Sequence, residues 1–162
     1  MAEFINTIDV LGDSAVENSI LARTITEFKD DVLTKVGAHA FRECKDLTTV
    51  DLPNVTSAGR AVFQGCSALK NVELPSIQAL DYYMFQDSGV EKVCFPSMTK
   101  GFGGDTFKNC KKLRIADFPK VTEVNAWNIF AGCSSLVAVV LRNRDVVCPV
   151  HTTAMGPLFD QG

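Results

Sequence analysis

The chain has 162 residues, 46% of them hydrophobic and 22% charged, with a formal net charge of −3 and a pI near 5.3. That length suffices for one domain with a continuous core, and the acidic balance with dispersed Lys and Arg leaves no electrostatic footprint for nucleic acid. No run approaches the ~18 apolar residues of a membrane span, so membrane insertion is not expected. The opening Met1–Ile8 has neither the basic nor the apolar segment of a secretory leader. A piece of a secreted parent would read the same, so location stays open between cytoplasm, cell surface and virion.

In chain order, residues 1–32 read as an N-terminal cap. Ala15, Val16, Ile20 and Leu21 are loosely helix-spaced between Asp13 and Arg23, with Asp13 or Ser14 as the N-cap. Thr24 to Phe28 then alternates as a strand does. From residue 33 to 142 one phrase recurs: Ala40-Phe41, Cys44, Leu47, Val50, Leu52-Pro53, Val55. It returns at Phe63, Cys66, Leu69, Val72, Leu74-Pro75, and again, one residue shorter after Ser88, at Phe85, Val90, Val93, Phe95-Pro96. Two further copies start at Phe107 and Phe130, the last with Arg142 in place of proline. A period in the low twenties with leucine-type positions predicts a solenoid of leucine-rich repeats.

Each Leu-x-x-Val-x-Leu is a short strand, with Val50 and Leu52 inward and Thr49 and Asp51 outward. The following proline ends the parallel ladder and turns the chain. Gly37 and Gly59, four residues before the phenylalanine, read as turns of positive φ. The segment through Phe and Cys is too short for a three-turn helix and reads as a single helical or 3-10 turn. The expected fold is therefore an α/β-type repeat, a right-handed solenoid of about five coils of 21–23 residues, with Phe41, Phe63, Phe85, Phe107 and Phe130 in one buried stack. Residues 143–162 read either as a C-terminal cap, with a strand over Asp145–Cys148 and Met155, Leu158 and Phe159 plugging the last coil, or as a further repeat cut short.

The units resemble the BspA-like family of leucine-rich repeats, over about residues 24–150. Val36-Gly37-Ala38-His39-Ala40-Phe41 and Phe130-Ala131-Gly132-Cys133-Ser134-Ser135-Leu136 carry the likeness most closely. Ala58, Ser88, Thr106 and the stretch Met98–Gly103 depart from the usual unit. The resemblance implies a binding role, since such repeats are typical of bacterial and protozoal surface or adhesion proteins and of products encoded near phage tail genes.

The chemistry-bearing residues give little support to catalysis, and no cofactor motif or metal-ligand spacing appears. Cys44, Cys66, Cys110 and Cys133 share one phase of the repeat and read as buried thiols. Cys94 falls outward between Val93 and Phe95 and reads as an exposed thiol. Three residues before each phenylalanine runs a column of Ala38, Arg60, Tyr82, Gly104 and Trp127. Tyr82 and Trp127 there should flank a notch over Gly104, about 10 Å apart at two strand spacings. With Asn125 and Asn128 nearby, this is the candidate ligand site for a glycan or a protein side chain. Ile115, Ala138 and Val140 form an outward apolar patch, either a partner surface or cover for a continuing array. The function expected is a non-enzymatic scaffold that binds a protein or glycan, with end-to-end self-association open to it; the alternative is a spacer of a larger surface or virion protein.

Overall fold

The computed structural model describes residues 9–17, 19–122, 124 and 126–141. In chain order these form β1 (Val10–Leu11), a 3-10 helix (Ile20–Arg23), β2 (Glu27–Lys29), β3 (Lys35–Val36), β4 (Thr49–Asp51), β5 (Ser57–Ala58), β6 (Asn71–Glu73), β7 (Lys92–Cys94), β8 (Ile115–Asp117) and β9 (Ala138–Val140). Every strand pair is parallel and joins equivalent positions of successive coils, in the orders β1-β3-β5, β2-β4-β6 and β7-β8-β9. The chain is a parallel solenoid. No coil has a core of its own; each is completed by its neighbours.

The phenylalanine corner is neither helix nor sheet, yet it is as regular as either. The amide of Phe41 donates to the carbonyl of Val62 at 3.0 Å, Phe63 to Met84 at 2.9 Å, Phe85 to Thr106 at 2.8 Å and Phe107 to Ile129 at 2.9 Å. Two columns of left-handed residues make these turns: His39, Ala61, Tyr83, Asp105 and Asn128 before each ring, and Glu43, Gly65, Asp87, Asn109 and Gly132 after it. Positive φ thus falls two residues beyond Gly37 and Gly59, where the sequence suggested it. Those two glycines are instead needed because a side chain at either would strike the backbone of the preceding coil, at Asp13 and Ala38 respectively.

The five rings stack as expected, with centroids 5.6, 5.4, 5.3 and 5.5 Å apart and nearly parallel planes, all buried. Phe28 tilts onto Phe41 at 4.7 Å and closes the stack at its N-terminal end. The in-phase cysteines have a reason beyond size. Cys66 donates its thiol to the carbonyl of Phe41 at 3.1 Å, Cys110 to Phe85 at 2.9 Å and Cys133 to Phe107 at 3.0 Å. Each adds a second donor to a buried carbonyl that already accepts the amide three residues further on.

The N-terminal segment departs from the helix that its apolar spacing predicts. Residues 9–17 form an additional coil: β1 pairs β3, Ser14 donates to Ala38 and Val16 to Ala40, both at 2.9 Å. Asp13 does not cap a helix; its carboxylate accepts the amide of Ala38 at 2.8 Å. Ser14 adopts φ 52, the conformation that recurs in the later coils, and only the four-residue 3-10 helix is helical. Coil-to-coil pairing, rather than local amphipathicity, decides the conformation here.

At the other end Cys133, Leu136, Val139 and Leu141 are only partly buried against the core. The C-terminal strand around Cys148 and the plug residues Met155, Leu158 and Phe159 lie outside the described residues, as does Asn125.

One step of the strand ladder is broken, since β6 and β7 are not hydrogen-bonded neighbours. The third unit lacks one residue after Ser88, so the chain cuts the corner at Gly89, where any side chain would strike the carbonyl of Ser67. Its amide donates to Cys66 at 3.1 Å. The coils stay closed at the phenylalanine corner and part at the strands, where Lys70 and Glu91 bridge the cleft at 3.7 Å.

Candidate functional site

The column before the phenylalanines is brought into register by the backbone. Ala61 donates to Tyr82, Tyr83 to Gly104 and Asp105 to Trp127, at 2.8, 3.2 and 3.1 Å. Tyr82, Gly104 and Trp127 therefore occupy equivalent positions on three successive coils. Tyr82 is 46% exposed and Trp127 61%. Neither ring serves as core.

The shape between them differs from an open notch. Gly104 is buried, and a side-chain carbon built on it would lie 2.9 Å from the indole nitrogen of Trp127. The indole lies across the glycine, so Gly104 is the seat of the ring rather than a free gap. A side chain there would lift the indole off the coil. Tyr83, which the sequence reading passed over, adds to the face: its ring centre is 6.2 Å from that of Tyr82, tilted by 47°, and it is exposed. Its only signal in the sequence is adjacency to Tyr82, because the left-handed turn that aims it outward has no residue signature. Asn128 sits in the same left-handed column as Tyr83 and is partly exposed. The result is a rigid aromatic side face, with a phenol pair on one coil and an indole two coils further on.

The apolar patch is also assembled as the alternation predicts. Ile115 pairs with Ala138 and Asp117 with Val140 across β8 and β9, which puts Ile115, Ala138 and Val140 on one face. Ile115 is exposed and the other two partly so. Val137, 68% exposed and just before β9, extends it.

Cys94 is exposed on β7, between buried Val93 and Phe95. Three of the in-phase thiols are held protonated, whereas the hydrogen bond from Cys110 lowers Cys133. Burial pushes Cys44 up to about 11, with the Glu17 carboxylate adding to the shift, and burial pushes Cys66 and Cys110 up as well. A thiol held protonated is a poor nucleophile and a poor metal ligand. Among the described residues no group of three or more His, Cys, Asp or Glu is placed to hold a metal ion. Nor is any helix among them long and apolar enough to cross a membrane.

Comparison with known proteins places this architecture. Residues 34–145 match the model of the BspA type leucine rich repeat region in six copies, one more than the phenylalanine count suggests. No curated protein matches the chain. Among solved structures it is similar to a leucine rich cell surface protein from Faecalibacterium prausnitzii A2-165, with a TM-score of 0.68 and 24% identity, over 75% of this chain and 34% of that one. It is also similar to the leucine rich repeat protein of T. pallidum, with a TM-score of 0.60 and 26% identity, over 71% of this chain and 55% of that one. The chain thus spans about a third of the first protein and about half of the second. Six matched repeats over well over half the residues, on a parallel solenoid with one buried phenylalanine per coil, leave one assignment: the chain belongs to the BspA-type leucine-rich repeat family.

Proposed function

We propose that the protein is a non-enzymatic interaction scaffold that binds a protein or glycan partner through its aromatic side face, in a bacterial surface or phage-associated setting. Repeat proteins of this family generally serve as interaction scaffolds. The observation that carries the reading is Trp127. A tryptophan 61% exposed, seated on a buried glycine and fixed by a backbone ladder, contributes little to the core and is pre-organised for a partner. Tyr82 and Tyr83 extend the face, with Asn128 beside it as a polar contact and Asn125, close in sequence, as a further proposed one. Ile115, Ala138 and Val140 form a second, apolar contact surface, and residues 143–162 act as a terminal cap or a further repeat.

The test is Trp127→Ala in the whole chain, with a glycan array and a pull-down supplying the partner. Binding should weaken by ~1–3 kcal/mol, as for loss of a stacked aromatic contact, while the melting temperature stays nearly unchanged. Unfolding of the variant without a separable binding loss would make the indole structural and sink the reading.

A further inference from the structure

A second recess lies on the same corner, next to the aromatic face, and it is built around Ala61. In the left-handed column Ala61 (φ 54) stands between His39 (φ 61) and Tyr83 (φ 59), one coil to either side. The small side chain of Ala61 is buried and leaves a gap between an imidazole and a phenol. Arg42, Gln64 and Gln86, each one residue after its phenylalanine, share one side and Arg60 lies in the column before the ring, around a cleft of about 240 Å³. That volume accommodates a single substituted sugar ring.

The polar groups are unequally satisfied. Arg42 pairs with Glu17 through Nη1 at 3.3 Å, while its buried Nε has no hydrogen-bond partner among the described residues. The exposed guanidinium of Arg60 makes neither an ion pair nor a side-chain hydrogen bond among the described residues. Of the nearby acids, Glu17 is held by Arg42, and Glu43 lies over Gly65 and pairs with Lys45 at 3.5 Å. The recess is thus a cationic spot on a chain of net charge −3. Gln64 donates Nε2 to Oε1 of Gln86 at 3.0 Å, which leaves the Gln64 oxygen and the Gln86 amide hydrogens available. An amide acceptor beside an amide donor suits the vicinal hydroxyls of a sugar. A planar guanidinium suits a carboxylate, and an aromatic wall suits the C–H face of a pyranose.

We propose that this recess binds a carboxylated monosaccharide unit, of uronic or sialic acid type: its carboxylate on Arg60, its hydroxyls on Gln64 and Gln86, and its ring against Tyr83. The inference rests on the scaffold reading but on its own polar residues. Trp127→Ala therefore tests the one and Arg60→Gln the other.

The experiment is calorimetric titration of the whole chain with digalacturonate and with sialyllactose, using lactose as the neutral sugar and hexaglutamate as the acidic peptide. At least one carboxylated sugar should bind, more weakly as salt is raised, and lactose should not. Arg60→Gln, an exposed change that the fold tolerates, should cost about tenfold in affinity, as for loss of one charge-assisted hydrogen bond. Ala61→Leu, filling the floor, should abolish binding, and Trp127→Ala should leave it intact. Absence of binding to both acidic sugars, equal binding of lactose, or indifference to Arg60→Gln would overturn the proposal. Hexaglutamate bound as tightly as the sugars, with the same dependence on Arg60, would also overturn it and make the recess an acidic-peptide site.

Discussion

A cysteine repeated in one phase of a solenoid does two jobs that a leucine cannot combine: it is small enough for a narrow corner and it donates a hydrogen bond. In three coils the thiol reaches the carbonyl of a phenylalanine in the preceding coil. Ser88 fills the same rung and lies 3.4 Å from the sulfur of Cys110, a hydroxyl in the same polar column. Burial holds the thiols of Cys44, Cys66 and Cys110 protonated, and this links them to pH. The folded Cys44 keeps its proton up to about 11, while an ordinary thiol loses it near 9.0. The folded state therefore binds more protons across that window. Cys44 contributes stability that is fully present below pH ~9 and is lost as pH rises through about 11. Urea midpoints measured across this range should fall, and should fall less steeply in Cys44→Ser, whose hydroxyl does not titrate. Equal slopes for the two proteins would remove the thiol from the account.

The elements owe their order to the repeat, and the repeat was legible because every coil states it again. The inward ladder Val50, Val72, Val93, Ala116 and Val139 and the stack of five rings follow from the spacing alone. Phe85 is the sharpest probe, because its ring touches Phe63, Phe95 and Phe107 within 6 Å. Phe85→Ala should cost roughly 3–5 kcal/mol in chemical denaturation, as a large-to-small change in mid-core; a loss below ~1 kcal/mol would contradict the stack. The missing residue after Ser88 was equally visible, but its consequence was not. A deletion can be absorbed by any of several turns, and only the fold shows that it opens the ladder between β6 and β7. Gly89 makes that shortcut because a side chain there would strike the carbonyl of Ser67. Gly89→Ala should destabilise by about 1–3 kcal/mol through overpacking. An unchanged midpoint would mean that the corner has room to spare. The N-terminal coil escaped the sequence for a related reason. It joins the array through the backbone amides of Ser14 and Val16, which carry no side-chain signature.

At the scale of the whole molecule the solenoid separates what holds it together from what it displays. Stability runs down the axis through phenylalanine, leucine and valine, whereas the side face varies freely from coil to coil: Ala38, Arg60, Tyr82, Gly104, Trp127. That variability made the candidate site visible, since a tyrosine and a tryptophan in an otherwise unpatterned column stand out. Its shape was not visible, because the seating of the indole on Gly104 depends on two coils meeting and on a rotamer. The central claim is that Trp127 is held outward for a partner rather than inward for the core. It is the single tryptophan of the chain, so intrinsic fluorescence reports on it alone. Native emission should resemble that of a water-exposed indole, remain quenchable by acrylamide nearly as well as in the unfolded chain, and shift to the blue as the partner identified by array or pull-down is titrated in. Blue-shifted, quencher-protected emission from the native protein without a partner, unmoved on titration, would contradict it.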